Sequence, residues 1–229
     1  MSRSTDNVLA LMRGEGRGLK PSLARFGLLM LSFLYGLGIR VYRLLYRLRL
    51  LKSVRLRPVV ISVGNLTVGG TGKTTAVQRI VRALQGAGIR CVVLSYGYRA
   101  GNRDSVGVVS DGRGILMDAG ESGDEAHLLA MSLPGTPVVI GRRRVLSGAE
   151  ADRLFHPDVL VCDDAYQYWR LERDLDILLV DAVEPWGYGY VLPRGLLREP
   201  KAAARRAGAA VITHADLADF SAVDALRRE

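Results

Sequence analysis

The stretch from residue 57 to residue 84 leaves the chain few ways to fold. Arg57-Pro-Val-Val-Ile-Ser-Val63 is a β-branched run opened by proline, the pattern of a strand buried on both faces. It runs into Gly64-Asn-Leu-Thr-Val-Gly-Gly-Thr-Gly-Lys-Thr74. The segment 75–84 then carries Val77, Ile80, Val81 and Leu84 at helical spacing. Strand, glycine-rich turn and helix in unbroken succession form one βα unit, which needs further units to cover both faces of a parallel sheet.

The turn has the chemistry of a phosphate cradle. Gly69, Gly70 and Gly72 let backbone N–H groups wrap an anion without Cβ obstruction. Thr67, Val68 and Thr71 complete the loop, and the helix N-terminus adds its positive dipole end. Lys73 is placed to reach the β- and γ-phosphates of ATP, and the Thr74 hydroxyl to ligate Mg²⁺. The strict P-loop pattern opens with glycine where this chain has Thr67, so the reading rests on the strand–loop–helix junction. A second apolar run, Asp158-Val-Leu-Val-Cys-Asp163-Asp164, ends in two carboxylates. One of them, Asp163, suits the magnesium shell, and Asp164 suits orienting a nucleophile or a metal-bound water.

The remaining runs alternate. Strands are expected at 91–95, 106–109, 114–117, 137–140, 176–181 and 209–213, and helices at 123–132, 143–155, 200–207 and 221–228. Asp111-Gly-Arg-Gly between two of the strands reads as a hairpin turn. The expectation is one α/β domain over 57–229, a mostly parallel sheet flanked by helices. Its two cysteines, Cys91 and Cys162, lie inside apolar runs, so no disulfide framework or metal-ligand spacing is visible.

The net charge of +9 is unevenly placed. Residues 1–57 hold twelve Lys/Arg against two acids, net +10, and the other 172 residues hold twenty against twenty-one, net −1. Residues 1–25 read as a loosely ordered basic leader. Over 26–56 an amphipathic helix is expected, with fourteen uncharged residues (26–39) followed by Arg40, Arg43 and Arg47 on one face. Fourteen residues fall short of the roughly 20 that span a bilayer, so this arm is expected to lie peripherally on an anionic membrane surface. No aromatic–basic pattern favours nucleic acid.

Read together, Ser62–Thr74, Gly123-Asp-Glu125, Gly141-Arg-Arg-Arg-Val145, Asp163-Asp-Ala-Tyr-Gln167, Leu175–Asp181 and Pro193–Pro200 resemble the tetraacyldisaccharide 4'-kinase family. The resemblance covers roughly residues 26–217. It implies transfer of the ATP γ-phosphate to the 4'-hydroxyl of a tetraacyl disaccharide 1-phosphate, giving lipid IVA, at the cytoplasmic face of the bacterial inner membrane. It implies Asp124 as the catalytic base, Asp163 and Asp164 as metal and positioning acids, and Arg142 and Arg144 as a basic loop facing the transferring group. Glu199, beside Arg198, joins the nucleotide-binding set on the same ground. The chain departs from the family pattern at Tyr96, Tyr168, Thr75 and Arg143, and the family continues into a further C-terminal segment. Other readings are a catalytically silent membrane-bound ATP-binding protein, a kinase of the same fold with another lipid or sugar acceptor, and a P-loop GTPase. For the last, Thr213-His-Ala-Asp216 is similar to a guanine-reading element but lacks its lysine.

Overall fold

The computed structural model describes residues 9–16, 18–97 and 106–228. The first eight residues of the expected leader, Arg17 and Tyr98 lie outside them. Helix α1 (Leu19–Arg47) is followed by β1 (Val59–Asn65), α2 (Lys73–Gly86), β2 (Cys91–Ser95) and β3 (Gly107–Asp111). Next come α3 (Ala119–Ser122), α4 (Asp124–Ser132), β4 (Pro137–Ile140), α5 (Arg144–Phe155) and β5 (Val159–Asp163). The chain then forms β6 (Leu175–Asp181), two 3₁₀ turns (Gly187–Gly189 and Lys201–Arg206), β7 (Ala209–Thr213) and α6 (Phe220–Arg228).

The seven strands lie in one sheet in the order β3-β4-β2-β5-β1-β6-β7. Every neighbouring pair is parallel except β3 and β4. All residues of β2 and β5 are buried, as continuous apolar strands covered on both faces must be. One face packs Val63, Val93 and Val161 against Val77 and Val81 of α2 and Leu129 of α4. The other packs Val60, Leu94 and Leu160 against Ala151 of α5 and Leu171. Truncating any of these leucines to alanine costs about 2–5 kcal/mol, so both layers are needed to hold the sheet. A third cluster (Leu66, Tyr166, Leu178, Leu197, Ala203) closes the side from which the 187–206 segment descends. At Gly64 a Cβ would stand 2.7 Å from the Tyr166 Cβ, so only glycine lets β1 pass this close to the turn after β5.

Two expectations change. The hairpin over 106–117 is incomplete. The Asp111 carboxylate does accept from the N–H groups of Arg113 and Gly114, closing the turn. Past it the returning arm pairs only through a Ser110–Ile115 bridge, with Leu116 N donating to Val109 O (2.8 Å), and forms no second strand. At the N-terminus, α1 begins at Leu19, inside the stretch expected to be loose, and runs unbroken to Arg47. Residues 9–13 are helical as well.

Helix α1 is long and apolar enough, by length and composition, to cross a membrane, and only 11% of its apolar window is buried. It touches the body along one stripe. Ser32 Oγ donates to Val191 O (2.8 Å) and accepts from Arg194 N (2.8 Å), and Tyr35 Oη donates to Arg198 O (3.0 Å). Gly36 is buried beside Val191, and Arg43 lies 5.4 Å from the Trp169 ring. Arg43 therefore turns toward the body, while Arg40 and Arg47 stay exposed.

Candidate active site

Parallel strands present their carboxyl ends at one edge, and the predicted site residues gather there from separate loops. The β1 loop carries the glycines, β5 ends at Asp163, β2 leads to Tyr96, and β4 leads to Arg142 and Arg144. A cavity of about 580 Å³ lies at this edge, lined by Gly69, Lys73, Tyr96, Glu125, Arg144, Asp163, Asp164, Gln167, Tyr168 and Arg198, with Ser95 at its wall.

In the loop, Gly69 and Gly72 take positive φ (139° and 73°), conformations open to glycine without strain. The first helical bond of α2 runs from Ala76 N to Gly72 O (3.0 Å). The N–H groups of Lys73, Thr74 and Thr75 therefore open the helix without intrahelical acceptors, as an anion site requires. Val68 differs: its N–H already donates to Leu196 O (2.8 Å), and Thr67 bridges to Leu197. Those two residues anchor the loop to the 187–198 segment. Thr71 is buried, and its Oγ1 has no partner among the described residues. Lys73 Nζ rests between Asn65 Oδ1 (3.4 Å) and the Asp164 carboxylate (4.0 Å).

Asp163 is 4% exposed, and its Oδ1 has no hydrogen-bond partner among the described residues. Burial pushes its carboxyl up to about 6, with Asp164 and Glu125 adding to the rise and Arg144 and Lys73 opposing it. A buried carboxylate oxygen without a donor is the ligand a hard cation takes, and it stands beside the triphosphate-binding turn. Together with the Thr74 hydroxyl at the head of α2, this donor set fits Mg²⁺. Asp164 follows at φ 51°, a left-handed conformation uncommon outside glycine, and such strain concentrates at functional sites. Its two oxygens accept from Arg198 Nη1 (3.0 and 2.9 Å).

Arg144 is 2% exposed and donates to Gly141 O (3.2 Å) and Asp163 O (2.7 Å); burial lowers its pKa. It sits as a fixed positive charge beneath the Asp163 backbone. Arg142 is half-buried, and both guanidinium groups flank the Tyr96 ring, at 5.8 Å and 5.6 Å. The tyrosine at 96 thus has two cations within 6 Å of its ring.

Two predicted residues stand elsewhere. Asp124 is the first residue of α4, exposed and outside the cavity lining, and its neighbour Glu125 lines the cleft. Glu199 does not face the cavity: it is 2% exposed and paired with Arg206 (2.6 and 2.9 Å), whose guanidinium stacks 3.8 Å over Tyr166. That pair is structural, holding the 199–206 turn to the body. Sequence reasoning missed Glu125 and Gln167 as cleft residues, and Asn65 as the buried partner of Lys73. Each adjoins a recognised motif, and only the third dimension selects them.

Residues 24–228 match the family described as LpxK, tetraacyldisaccharide-1-P 4'-kinase. The tetraacyldisaccharide 4'-kinase of Pelobacter propionicus is 49% identical over 205 residues, 89% of this chain and 56% of that protein. The same enzyme of Geobacter sulfurreducens is 48% identical over 204 residues, 89% of this chain and 58% of that one. The crystal structure of LpxK from Aquifex aeolicus in complex with ATP superposes with TM-score 0.79 at 37% identity, covering 85% of this chain and 60% of that one. The chain thus spans a little over half the length of the relatives it matches.

Proposed function

This chain belongs to the tetraacyldisaccharide-1-phosphate 4'-kinase family, and on that premise we propose that it acts in ATP-dependent phosphorylation of the 4'-hydroxyl of a tetraacyl disaccharide 1-phosphate. The observation that carries the reading is the buried Asp163 Oδ1, without a hydrogen-bond partner among the described residues, beside a glycine loop whose helix-opening amides precede the first helical bond at Ala76. An acidic strand end next to an anion cradle has one economical use, the gripping of a magnesium-bound triphosphate.

The roles follow from placement. The loop amides and Lys73 hold the phosphates; Thr74 and Asp163 are the residues that would hold Mg²⁺, which would supply charge neutralisation there. Arg144 and Arg142 add fixed positive potential behind the transferring group. A secondary alcohol needs a carboxylate to take its proton as it attacks. Asp124, exposed and outside the cavity lining, meets an acceptor arriving from outside, and Glu125 adds a second carboxylate within. Asp164, held by Arg198 and 4.0 Å from Lys73, positions the lysine.

The acceptor is a lipid, and α1 supplies the membrane contact. A helix of 29 residues is about 43 Å long, enough to cross the roughly 30 Å hydrocarbon core. Yet its middle, Ser32–Gly36, is hydrogen-bonded to and packed on the body, so it cannot be threaded through lipid at the same point. It lies along the interface instead, with Phe33, Leu34, Leu37 and Val41 outward, on the cytoplasmic face where ATP is available.

The test is transfer of label from γ-labelled ATP to a tetraacyl disaccharide 1-phosphate. Transfer that disappears with Lys73→Ala and with Asp124→Ala is the expected result. Firm MgATP binding with no transfer to any glycolipid would instead identify a silent nucleotide binder.

A further inference from the structure

Where α1 ends, the chain turns at Arg49, held at φ 57°, and the connector it enters runs beside the stretch after β5. Ser53 Oγ donates to Trp169 O (2.7 Å) and Val54 N to Arg170 O (2.8 Å). The start of α5 closes the third side, and a cavity of about 290 Å³ lies between the three. Its charged lining is Lys52, Arg143 and Arg170, all exposed, and no Asp or Glu joins them. None of the three is ion-paired among the described residues. Like charges gathered without a counter-charge repel one another, and an anion seated among them removes that cost.

We propose that this cavity binds the phosphate of an anionic bilayer phospholipid. From the reading above it takes only that α1 lies along the interface; phosphoryl transfer plays no part in it. The rim says what carries the anion. Val54 and Leu146, 42% and 45% exposed, line the cavity, and Leu48 and Leu50 at the end of α1 are more exposed still. Exposed cations ringed by exposed apolar side chains match an amphiphile, and a bare anion would leave that rim unused. Tyr46 and Tyr168 share the lining, and tyrosines gather at the level of lipid headgroups, where the phenol can donate to a phosphate oxygen. The volume stands at the small end of the roughly 300–1,000 Å³ of small-molecule sites, so it takes a headgroup and leaves the acyl chains outside. Arg143 and Tyr168 are two of the positions at which the chain departs from the family pattern, so the shared motifs do not supply this pocket. Tyr168 also lines the catalytic cleft, so a lipid seated here sets the mouth of that cleft at headgroup depth.

The experiment is calorimetric titration of the full chain, in a neutral detergent and without nucleotide. The titrants are dihexanoyl phosphatidylglycerol, dihexanoyl phosphatidylcholine and inorganic phosphate. Expected is saturable binding of phosphatidylglycerol that the other two do not reproduce. Arg143→Gln together with Arg170→Gln weakens it by about tenfold or more. The melting temperature holds, because both side chains are exposed. Arg40→Gln together with Arg47→Gln removes the same charge from α1 outside the pocket and leaves the affinity at the wild-type level. Should the pocket variant melt lower, the exposed Lys52→Gln variant decides by the same comparison. Wild-type chain that binds no phosphatidylglycerol overturns the site, as does undiminished binding in the pocket variant or an equal loss in the α1 variant. Phosphatidylcholine or phosphate bound as tightly as phosphatidylglycerol overturns the lipid assignment. So does a raised KM for the tetraacyl disaccharide 1-phosphate in the pocket variant without phospholipid, which would give the cavity to the acceptor's own phosphate. Label transfer by the wild-type chain tests the kinase reading separately, so the two can fail independently.

Discussion

The carboxyl of Asp163 is 4% exposed with Oδ1 unpartnered among the described residues, and burial pushes its pKa to about 6 from 3.8. The native state therefore binds this proton more readily than the unfolded chain does. In the metal-free protein the ionised carboxylate opposes folding: the penalty is absent below about pH 4, grows between 4 and 6, and is complete above 6. Its size is on the order of 3 kcal/mol. Asp163→Asn is expected to melt several degrees higher than wild type at pH 8, with the gain gone at pH 4, and to lose Mg²⁺-dependent ATP binding. Equal melting at pH 8 would mean that Oδ1 has a partner after all. Wild-type MgATP affinity falls as pH is lowered through about 6, because the cation needs the carboxylate. Lys73, Thr74 and Asp163 were legible in the sequence because their function depends on local order: strand, loop, helix. The cleft-facing choice between Asp124 and Glu125 was not, since adjacent helical residues point about 100° apart and packing alone sets the rotation. Glu199 was misread for a similar reason. Its partner Arg206 lies seven residues on, and their pairing exists only once the 3₁₀ turn forms.

Among the elements, the fully buried strands were readable from unbroken apolar runs, and α2 from its periodic ones. The hairpin after β3 was not, because a turn signal reports that the chain reverses and not how far the returning arm pairs. In α1 the arginine spacing was visible but the docking was not: Arg43 turns toward Trp169, leaving Arg40 and Arg47 outward. The two outward cations each contribute roughly 1 kcal/mol at an anionic surface. Replacing both with glutamate is expected to weaken cosedimentation with anionic liposomes by tenfold or more while the melting temperature holds. Raising salt should mimic it. Arg43→Glu should act differently, lowering the melting temperature by removing a half-buried guanidinium from the aromatic face. Binding that ignores Arg40 and Arg47 would assign membrane contact to apolar burial alone.

At the scale of the whole molecule, one segment joins the helical arm to the phosphate loop. Residues 187–198 receive Ser32 and Tyr35 of α1 on one side. On the other side Leu196 O accepts from Val68 N, Leu66 O accepts from Arg198 N (2.6 Å), and the Arg198 side chain grips Asp164. The segment folds on itself so tightly that a Cβ at Gly195 would lie 2.3 Å from Tyr190 O and 2.4 Å from Gly187 O, both backbone atoms that cannot step aside. Gly195→Ala must therefore open the segment. Because both ends hang on the same turn, it is expected to reduce liposome binding and MgATP affinity together, with a destabilisation of about 3 kcal/mol or more. Gly36→Ala is the matched control at the contact on α1, where a Cβ would meet Val191 Cγ2 at an ordinary 3.6 Å. There alanine keeps the dock and gains helix propensity, up to about 1 kcal/mol. Calorimetry and cosedimentation on the two variants decide the matter. If Gly195→Ala lowers one function and spares the other, the arm and the nucleotide site are independent bodies that only share a chain.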